Sequence, residues 1–234
     1  MKKNTDSNSK GFTIIELLIA TVVFSAILLV LTQVVIRLSG TYYHGVIQNQ
    51  TLNVAKNITN NIVQQIQFTG GDVIFPGNPI HFWSNNNSDL SNLESYLCIG
   101  NNQYVYQIGG RFDNTTSNGS LVLSYNTQCS NGGPKISSSN WSFITAGSIS
   151  SHYYVNLIPN GMRLAKFKID KQFGNLYKVD VMVASGTDGI NPNGPGFNND
   201  QSNYNSTNYN PRCYPNSPYC ATSELVTYVE KTVQ

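Results

Sequence analysis

Gly11-Phe12-Thr13-Ile14-Ile15-Glu16-Leu17-Leu18-Ile19 is the stretch on which the reading of this chain turns. A basic leader precedes it, and after Glu16 no charge occurs until Arg37. About 20 apolar residues in helical conformation cross the hydrocarbon core of a bilayer, so Phe12 to Ile36 is long enough to span. A secretory signal peptide carries only about 7–15 apolar residues before a small-residue cleavage site. The run here is longer, and an acid interrupts its start. A plain anchor fits the length but would carry Leu where Glu16 stands. A carboxylate in hydrocarbon is disfavoured and marks a functional site whose partner has to be named.

Cleavage ahead of the apolar run accounts for both the acid and the glycine. Cutting Gly11–Phe12 on the cytoplasmic side leaves the helix on the mature protein, with Phe12 as a free N-terminus. Lys2, Lys3 and Lys10 against Asp6 hold the leader inside by the positive-inside rule. They also carry the whole of the chain's formal charge of +2, so the mature chain is formally neutral. The new ammonium lies one helical turn from Glu16 and supplies its partner, and an acid in the first turn suits the helix dipole. In an assembly the same carboxylate would pair with the Phe12 ammonium of a neighbouring subunit. A buried charge deprived of its partner is strongly destabilising, so such a pair would set register between subunits.

Gly11-Phe12-Thr13-Ile14-Ile15-Glu16, with Leu17, Leu18 and Ile19 behind, resembles the class III leader of type IV pilins and pseudopilins. The resemblance implies that a membrane-embedded aspartyl prepilin peptidase cuts after Gly11 and methylates the amine of Phe12. It also implies that Glu16, at the fifth mature position, docks subunits into a helical filament. Many pilins carry Pro at the position occupied here by Gln33, where the helix melts or kinks in the filament. No Pro or Gly occurs between Phe12 and Ser39, which leaves Gly40 and Gly45 as the nearest candidates for a bend.

Downstream, Ile47, Val54, Ile58, Ile62 and Ile66 recur at steps of seven and four, the stripe of an amphipathic helix. Gly70-Gly71 ends the run. A helix from Phe12 to about Phe68 would extend on the order of 85 Å; two helices hinged at Gly40 are the alternative. Beyond Gly71, short β-type runs alternate with turn signals. They fall at Val73–Phe75, Ile80–Trp83, Tyr96–Ile99, Tyr104–Ile108, Leu121–Tyr125, Tyr153–Leu157, Arg163–Asp170, Leu176–Ala184 and Leu225–Val233. The pair 163–170 and 176–184 reads as an antiparallel hairpin. Ala165, Phe167, Ile169, Tyr177, Val179, Val181 and Val183 line its apolar face, and its other face is wet. The stripe on the stem helix is the available cover. The expected architecture is therefore α+β: a long N-terminal helix on an antiparallel sheet, which is also the pilin fold that the resemblance implies. The expected divisions are a leader (1–11), a transmembrane or filament-core helix (12–39), an amphipathic half (40–70) and a β head (71–234).

Segment 186–220 holds five of the nine Pro, many Asn and almost no aliphatic residue. It is expected to be a solvated loop that builds no core. Cys98, Cys129, Cys213 and Cys220 allow three pairings. The sequence neighbours Cys98–Cys129 and Cys213–Cys220 are favoured, with free buried thiols as the alternative. Pilins often carry a disulfide near the C-terminus, as the second pair would be. Asp188, Asn191, Asn193 and Asp200 suggest a Ca²⁺ loop, but their spacing matches no EF-hand pattern. Tyr204, Tyr209, Tyr214 and Tyr219 either form an exposed sticky surface or pack on the sheet. His44, His81 and His152 are scattered and no CxxC occurs, so neither a metal nor another cofactor is expected. Lys166, Lys168, Lys171 and Lys178 form a patch diluted by Asp170 and Asp180. A neutral mature chain argues against a nucleic-acid partner.

No nucleophile with an adjacent base, paired carboxylates or phosphate loop can be read, so the chain is expected not to be an enzyme. The expected function is a structural subunit of an extracellular type IV pilus or competence-type filament. The large head and long Asn/Pro loop favour a minor subunit. Its partners would be prepilin peptidase, other pilin subunits and, before assembly, the cytoplasmic membrane, with the head outside. A minor pseudopilin of a type II secretion system is the alternative, followed by a tethered adhesin that does not polymerise.

Overall fold

Helix α1 runs from Ile14 to Phe68 and remains α-helical through Gly40 and Gly45, the two candidate bend positions. The computed structural model describes residues 11–68, 73–74, 95–106, 108–109, 121–125, 154–186, 197–198, 211–214, 217 and 219–232. The chain divides into two units, one up to Tyr42 and one from Tyr43 onward.

In the first unit the helix buries no side chain. Leu17 is 59% exposed, Phe24 62% and Leu28 46%. The helix is long and apolar enough to cross a membrane. Its hydroxyls turn back on their own backbone: Thr21 donates to the Leu18 carbonyl at 2.9 Å, Ser25 to Thr21 at 2.8 Å and Thr32 to Leu28 at 2.8 Å. Such local bonds satisfy a hydroxyl without any partner outside the helix.

The second unit contains the other half of α1 and the β-strands. These are β1 (Val73–Ile74), β2 (Ser95–Ile99), β3 (Asn102–Tyr106), β4 (Leu121–Ser124), β5 (Tyr154–Asn156), β6 (Met162–Lys171), β7 (Leu176–Ser185), β8 (Phe197–Asn198), β9 (Arg212–Cys213) and β10 (Ala221–Glu230). All pairings are antiparallel. The strands form a five-stranded sheet in the order β1-β2-β3-β4-β5, a three-stranded sheet β10-β7-β6, and the pair β8-β9. The architecture is α+β, consistent with the pilin fold.

Thr51, Ala55, Ile58, Thr59, Ile62 and Ile66 are the buried residues of α1. They recur at three- and four-residue steps, so they form one face. Ile58, Ile62 and Ile66 share a core cluster with Leu97, Tyr104, Leu123, Phe167, Val179 and Val181, drawn from both larger sheets. Ile47 and Val54, expected in the stripe, are only half-buried, and the threonines take the deeper positions. Thr51, among those, and the partly buried Asn61 have polar partners on the strands. Thr51 Oγ1 lies 2.8 Å from Ser223 Oγ, and Asn61 Oδ1 accepts from the Tyr104 hydroxyl at 2.6 Å.

The hairpin β6–β7 forms as expected and turns through Gly174, whose φ of 59° suits a residue without Cβ. One detail of its expected face is corrected. The register shifts between Leu164 and Lys166, so Ala165 is an extra residue in β6. Such a bulge places two successive residues opposite one partner and reverses the alternation beyond it. Leu164 therefore joins the main core, while Ala165 points the other way with Met182 and Ala184. The last strand also departs from expectation. It begins at Ala221 and ends at Glu230, not Leu225–Val233, and its first four residues pair with Ser185 to Met182. The expected strand at Ile80–Trp83 lies outside the described residues.

The outer face of the three-stranded sheet is not uniformly wet. Phe197, 2% exposed, packs with Ala165, Met182, Ala184 and Cys220 in a second cluster. Segment 186–220 thus contributes to a core, against expectation. Its average composition is polar, but a single Phe and a disulfide are enough to cover a patch of small apolar side chains. Beneath Phe197 lies fully buried Arg163, whose guanidinium sits 5.0 Å from the ring centroid and donates to the carbonyls of Gly109 (3.2 Å) and Gly186 (2.6 Å). Gly186 has a φ of 132°, and a Cβ there would meet Cys220 Sγ at 3.0 Å.

Candidate functional site

The candidate site is the start of α1. Gly11, Phe12 and Thr13 precede the helix, and all three are exposed. Thr13 and Glu16 close the first turn on each other. The Thr13 backbone N–H donates to Glu16 Oε2 at 2.9 Å, the Thr13 hydroxyl donates to the same oxygen at 2.8 Å, and the Glu16 N–H donates to Thr13 Oγ1 at 3.4 Å. This is a capping box, in which two otherwise orphaned backbone donors are satisfied reciprocally. With the Gly11–Phe12 peptide bond intact, Phe12 offers no ammonium, and the carboxylate rests on Thr13. Thr13 was not singled out in the sequence, although Thr-x-x-Glu ahead of an apolar run is the readable signature.

Gly11 has nothing within 4 Å of where a Cβ would stand and no left-handed φ. The fold of this chain therefore sets no requirement for glycine at that position. Phe12 is 76% exposed. Beyond the first turn the helix presents apolar side chains and hydroxyls already bonded to their own backbone. Glu16 is the sole acidic residue between Phe12 and Phe68.

In the second unit, Cys213 and Cys220 form a disulfide, as favoured from the sequence. Cys98 is disulfide-bonded as well, while Cys129, its expected partner, lies outside the described residues. Tyr219 is exposed and its ring packs against Tyr43, with centroids 6.2 Å apart; Tyr214 is half-buried. Tyr204, Tyr209, His81, His152 and the candidate calcium residues Asp188, Asn191, Asn193 and Asp200 lie outside the described residues. Among the described residues no three His, Cys, Asp or Glu side chains gather as a metal ion would require.

The lysine patch is partly neutralised. Lys166 Nζ lies 2.7 Å from both Asp180 Oδ2 and Glu224 Oε1, bridging β6, β7 and β10. Burial pulls the Lys166 ammonium down, but its hydrogen bonds to both carboxylates outweigh that and hold it above its ordinary value. Burial pushes the Asp180 carboxyl up despite the lysine. Glu224, more exposed, is also pushed up by burial, yet its bonds to Lys166 and Asp180 leave it below the ordinary glutamate range.

No curated protein and no solved structure matches the chain. Residues 6–32 match the family described as the prokaryotic N-terminal methylation motif. That match is confined to the leader and the start of the apolar helix, a segment similar to the class III prepilin leader of type IV pilins and pseudopilins.

Proposed function

We propose that the chain is a minor pilin, a structural subunit of an extracellular type IV pilus or competence-type filament, and not an enzyme. Prepilin peptidase removes residues 1–11 and methylates Phe12. The subunit waits in the cytoplasmic membrane with its head outside, then leaves the bilayer for the filament. Glu16 docks it there by pairing with the amine of a Phe12 terminus. The observation that carries this reading is Glu16 itself. It is the one acid on a helix whose first half buries nothing and whose Thr21, Ser25 and Thr32 hydroxyls close on the helix backbone. A carboxylate in that setting needs a partner from outside the helix once it enters hydrocarbon or a fibre core. Gly11 fits the same reading, because its own chain leaves space for a side chain and the demand for glycine then belongs to the processing enzyme.

Two measurements test it. Mass spectrometry of protein from native cells should find a chain beginning at N-methylated Phe12. Glu16→Leu should still insert and still be cleaved, yet be lost from filaments sheared off the cell surface. A mature protein that retains Met1 to Gly11 refutes the processing step. Normal incorporation of Glu16→Leu into fibres refutes the docking step.

A further inference from the structure

The edges of the two larger sheets are guarded unequally. A strand at an edge leaves a row of backbone N–H and C=O groups unpaired, and short length, bulges, lysines or a covering segment keep other chains from pairing there. β1 and β5, the edges of the five-stranded sheet, are two and three residues long. β6, one edge of the three-stranded sheet, combines three of these devices. It is bulged at Ala165, it carries Lys166, Lys168 and Lys171, and the Gly109 N–H donates to its Leu164 carbonyl at 2.8 Å. β10, the opposite edge, has none of them. It pairs with β7 from Ala221 to Glu230 in unbroken register and contains no Pro, Gly, Lys or Arg. No backbone bond joins its other edge to a described residue.

The side chains of β10 divide by face. Ser223, Leu225 and Val229 turn inward, Ser223 onto Thr51 and the other two onto the main core. Glu224, Val226, Tyr228 and Glu230 alternate with them on the outer face, and all four are exposed. Val226 and Tyr228 are 44% and 60% exposed, so an apolar centre lies open between two acids. Glu224 shares Lys166 with Asp180, yet 41% of its side chain remains open.

That pattern selects the occupant. Two copies pairing antiparallel along the whole of 224–230 would set Glu224 of each opposite Glu230 of the other. Like charges directly opposite are destabilising. A strand with a basic residue at each end meets an acid at both, and β-branched residues between them pack on Val226 and Tyr228.

We propose that the free edge of β10 is a strand-addition site. Its occupant is an extended segment of a different protein, with Lys or Arg at the two positions opposite Glu224 and Glu230 and a β-branched centre. In such pairing main-chain hydrogen bonds supply affinity and alternate side chains supply selectivity. The site belongs to the strand-bearing unit alone, independent of processing at Gly11 and of docking through Glu16.

The probe is a fluorescein-labelled peptide, Lys-Thr-Val-Thr-Val-Thr-Lys, titrated with the full chain in micelles of an uncharged detergent and followed by fluorescence anisotropy. A second peptide has Glu at both ends, and a third is the lysine peptide N-methylated at every residue. Hydrogen exchange of the chain's amides is measured with and without the lysine peptide. That peptide should bind about tenfold tighter than the glutamate peptide. The methylated peptide should not bind, and alternate amides between 222 and 230, those turned away from β7, should exchange more slowly in the complex. Glu230→Lys, a change at an exposed strand end, should remove most of the preference for lysine. Failure of the lysine peptide to bind, equal affinity for the glutamate peptide, binding that survives N-methylation, or slowed exchange outside β10 overturns the site. Protection of β10 that grows with chain concentration in the absence of peptide also overturns it, because the occupant is then a second copy.

Discussion

The two halves of α1 are made of similar residues and do opposite things. Leu17 and Leu28 lie open at 59% and 46%, while Ile58 and Ile62, on the same helix, are 1% and 0% exposed. The first half is apolar on every side; the second keeps one apolar face and gives the rest to Asn, Gln and Lys56. A helix apolar all round needs a surrounding other than water, whereas one with a single apolar face needs a sheet. The difference also separates two kinds of polar residue. In the first half Thr21, Ser25 and Thr32 close on their own backbone and Glu16 rests on Thr13. In the second half Thr51, Asn61 and Gln65 reach across to the strands.

The largest test of this contrast is truncation in each half. Ile62→Ala removes a fully buried side chain from the cluster shared by the helix and both larger sheets and should cost about 2–5 kcal/mol. Leu28→Ala, in the first half, should leave the thermal unfolding of the strand-bearing unit unchanged. Both are read on the full chain in detergent micelles by circular dichroism. A Leu28→Ala protein that melts as early as Ile62→Ala would show that the first half is folded against the second unit, and the contrast would fail.

A second test concerns the segment that composition alone left outside the core. Replacing Cys213 and Cys220 with Ser opens a bridge across a separation of seven residues. Loop-closure entropy sets the loss at about 2–3 kcal/mol. Phe197 shares its cluster with Cys220, so the same change should expose the ring, raise proteolysis within 186–220 and spare α1. Unchanged proteolysis would mean that Phe197 over Arg163 is sufficient to hold the segment.

Much of this arrangement is legible in the residues themselves. The uninterrupted run to Ser39, the isoleucine steps to Ile66 and the alternation in 176–184 each state a local rule that the fold obeys. The parts that escape reading are those that two segments decide together. Ala165 changes face because a single bulge shifts the register, and nothing in Leu-Ala-Lys announces it. Ala221-Thr-Ser-Glu224 lacks the aliphatic alternation of a strand, yet pairing with β7 makes it one. Thr51 reads as a polar residue on a helix until Ser223, distant in sequence, supplies its partner. At the site itself the acid stands out from its apolar run, whereas the Thr-x-x-Glu spacing that caps it does not enter a reading that pairs Glu16 with an amine.

Thr51 offers a third and smaller effect. Thr51→Val keeps the shape and removes a buried hydroxyl, leaving Ser223 its bond to the Gln48 carbonyl. The loss should be about 1 kcal/mol, since a neutral hydrogen bond contributes that much net. Chemical denaturation of the full chain in micelles measures it. A stabilised variant would mean that the clasp serves register and not stability.

The smallest effect lies at Glu224, which is too exposed to count as a buried partner. Glu224→Gln leaves Lys166 its equally close tie to the more buried Asp180 and should cost under about 1 kcal/mol at neutral pH. The sign follows from its depressed folded-state pKa. A carboxylate held below its ordinary range stabilises the fold above that range and loses the contribution as the pH falls through it. The gap between the parent chain and Glu224→Gln should therefore close on acidification below the ordinary glutamate range. Asp180 works in the other direction, because burial raises its carboxyl and its ionisation on going to neutral pH weakens the fold. Removing Glu224 takes away a neighbouring negative charge, so the variant's Asp180 should titrate lower than the parent's. Stability curves against pH that stay parallel from neutral into acid would show that solvent screens Lys166 from Glu224 completely and that the bridge across β6, β7 and β10 is carried by Asp180 alone.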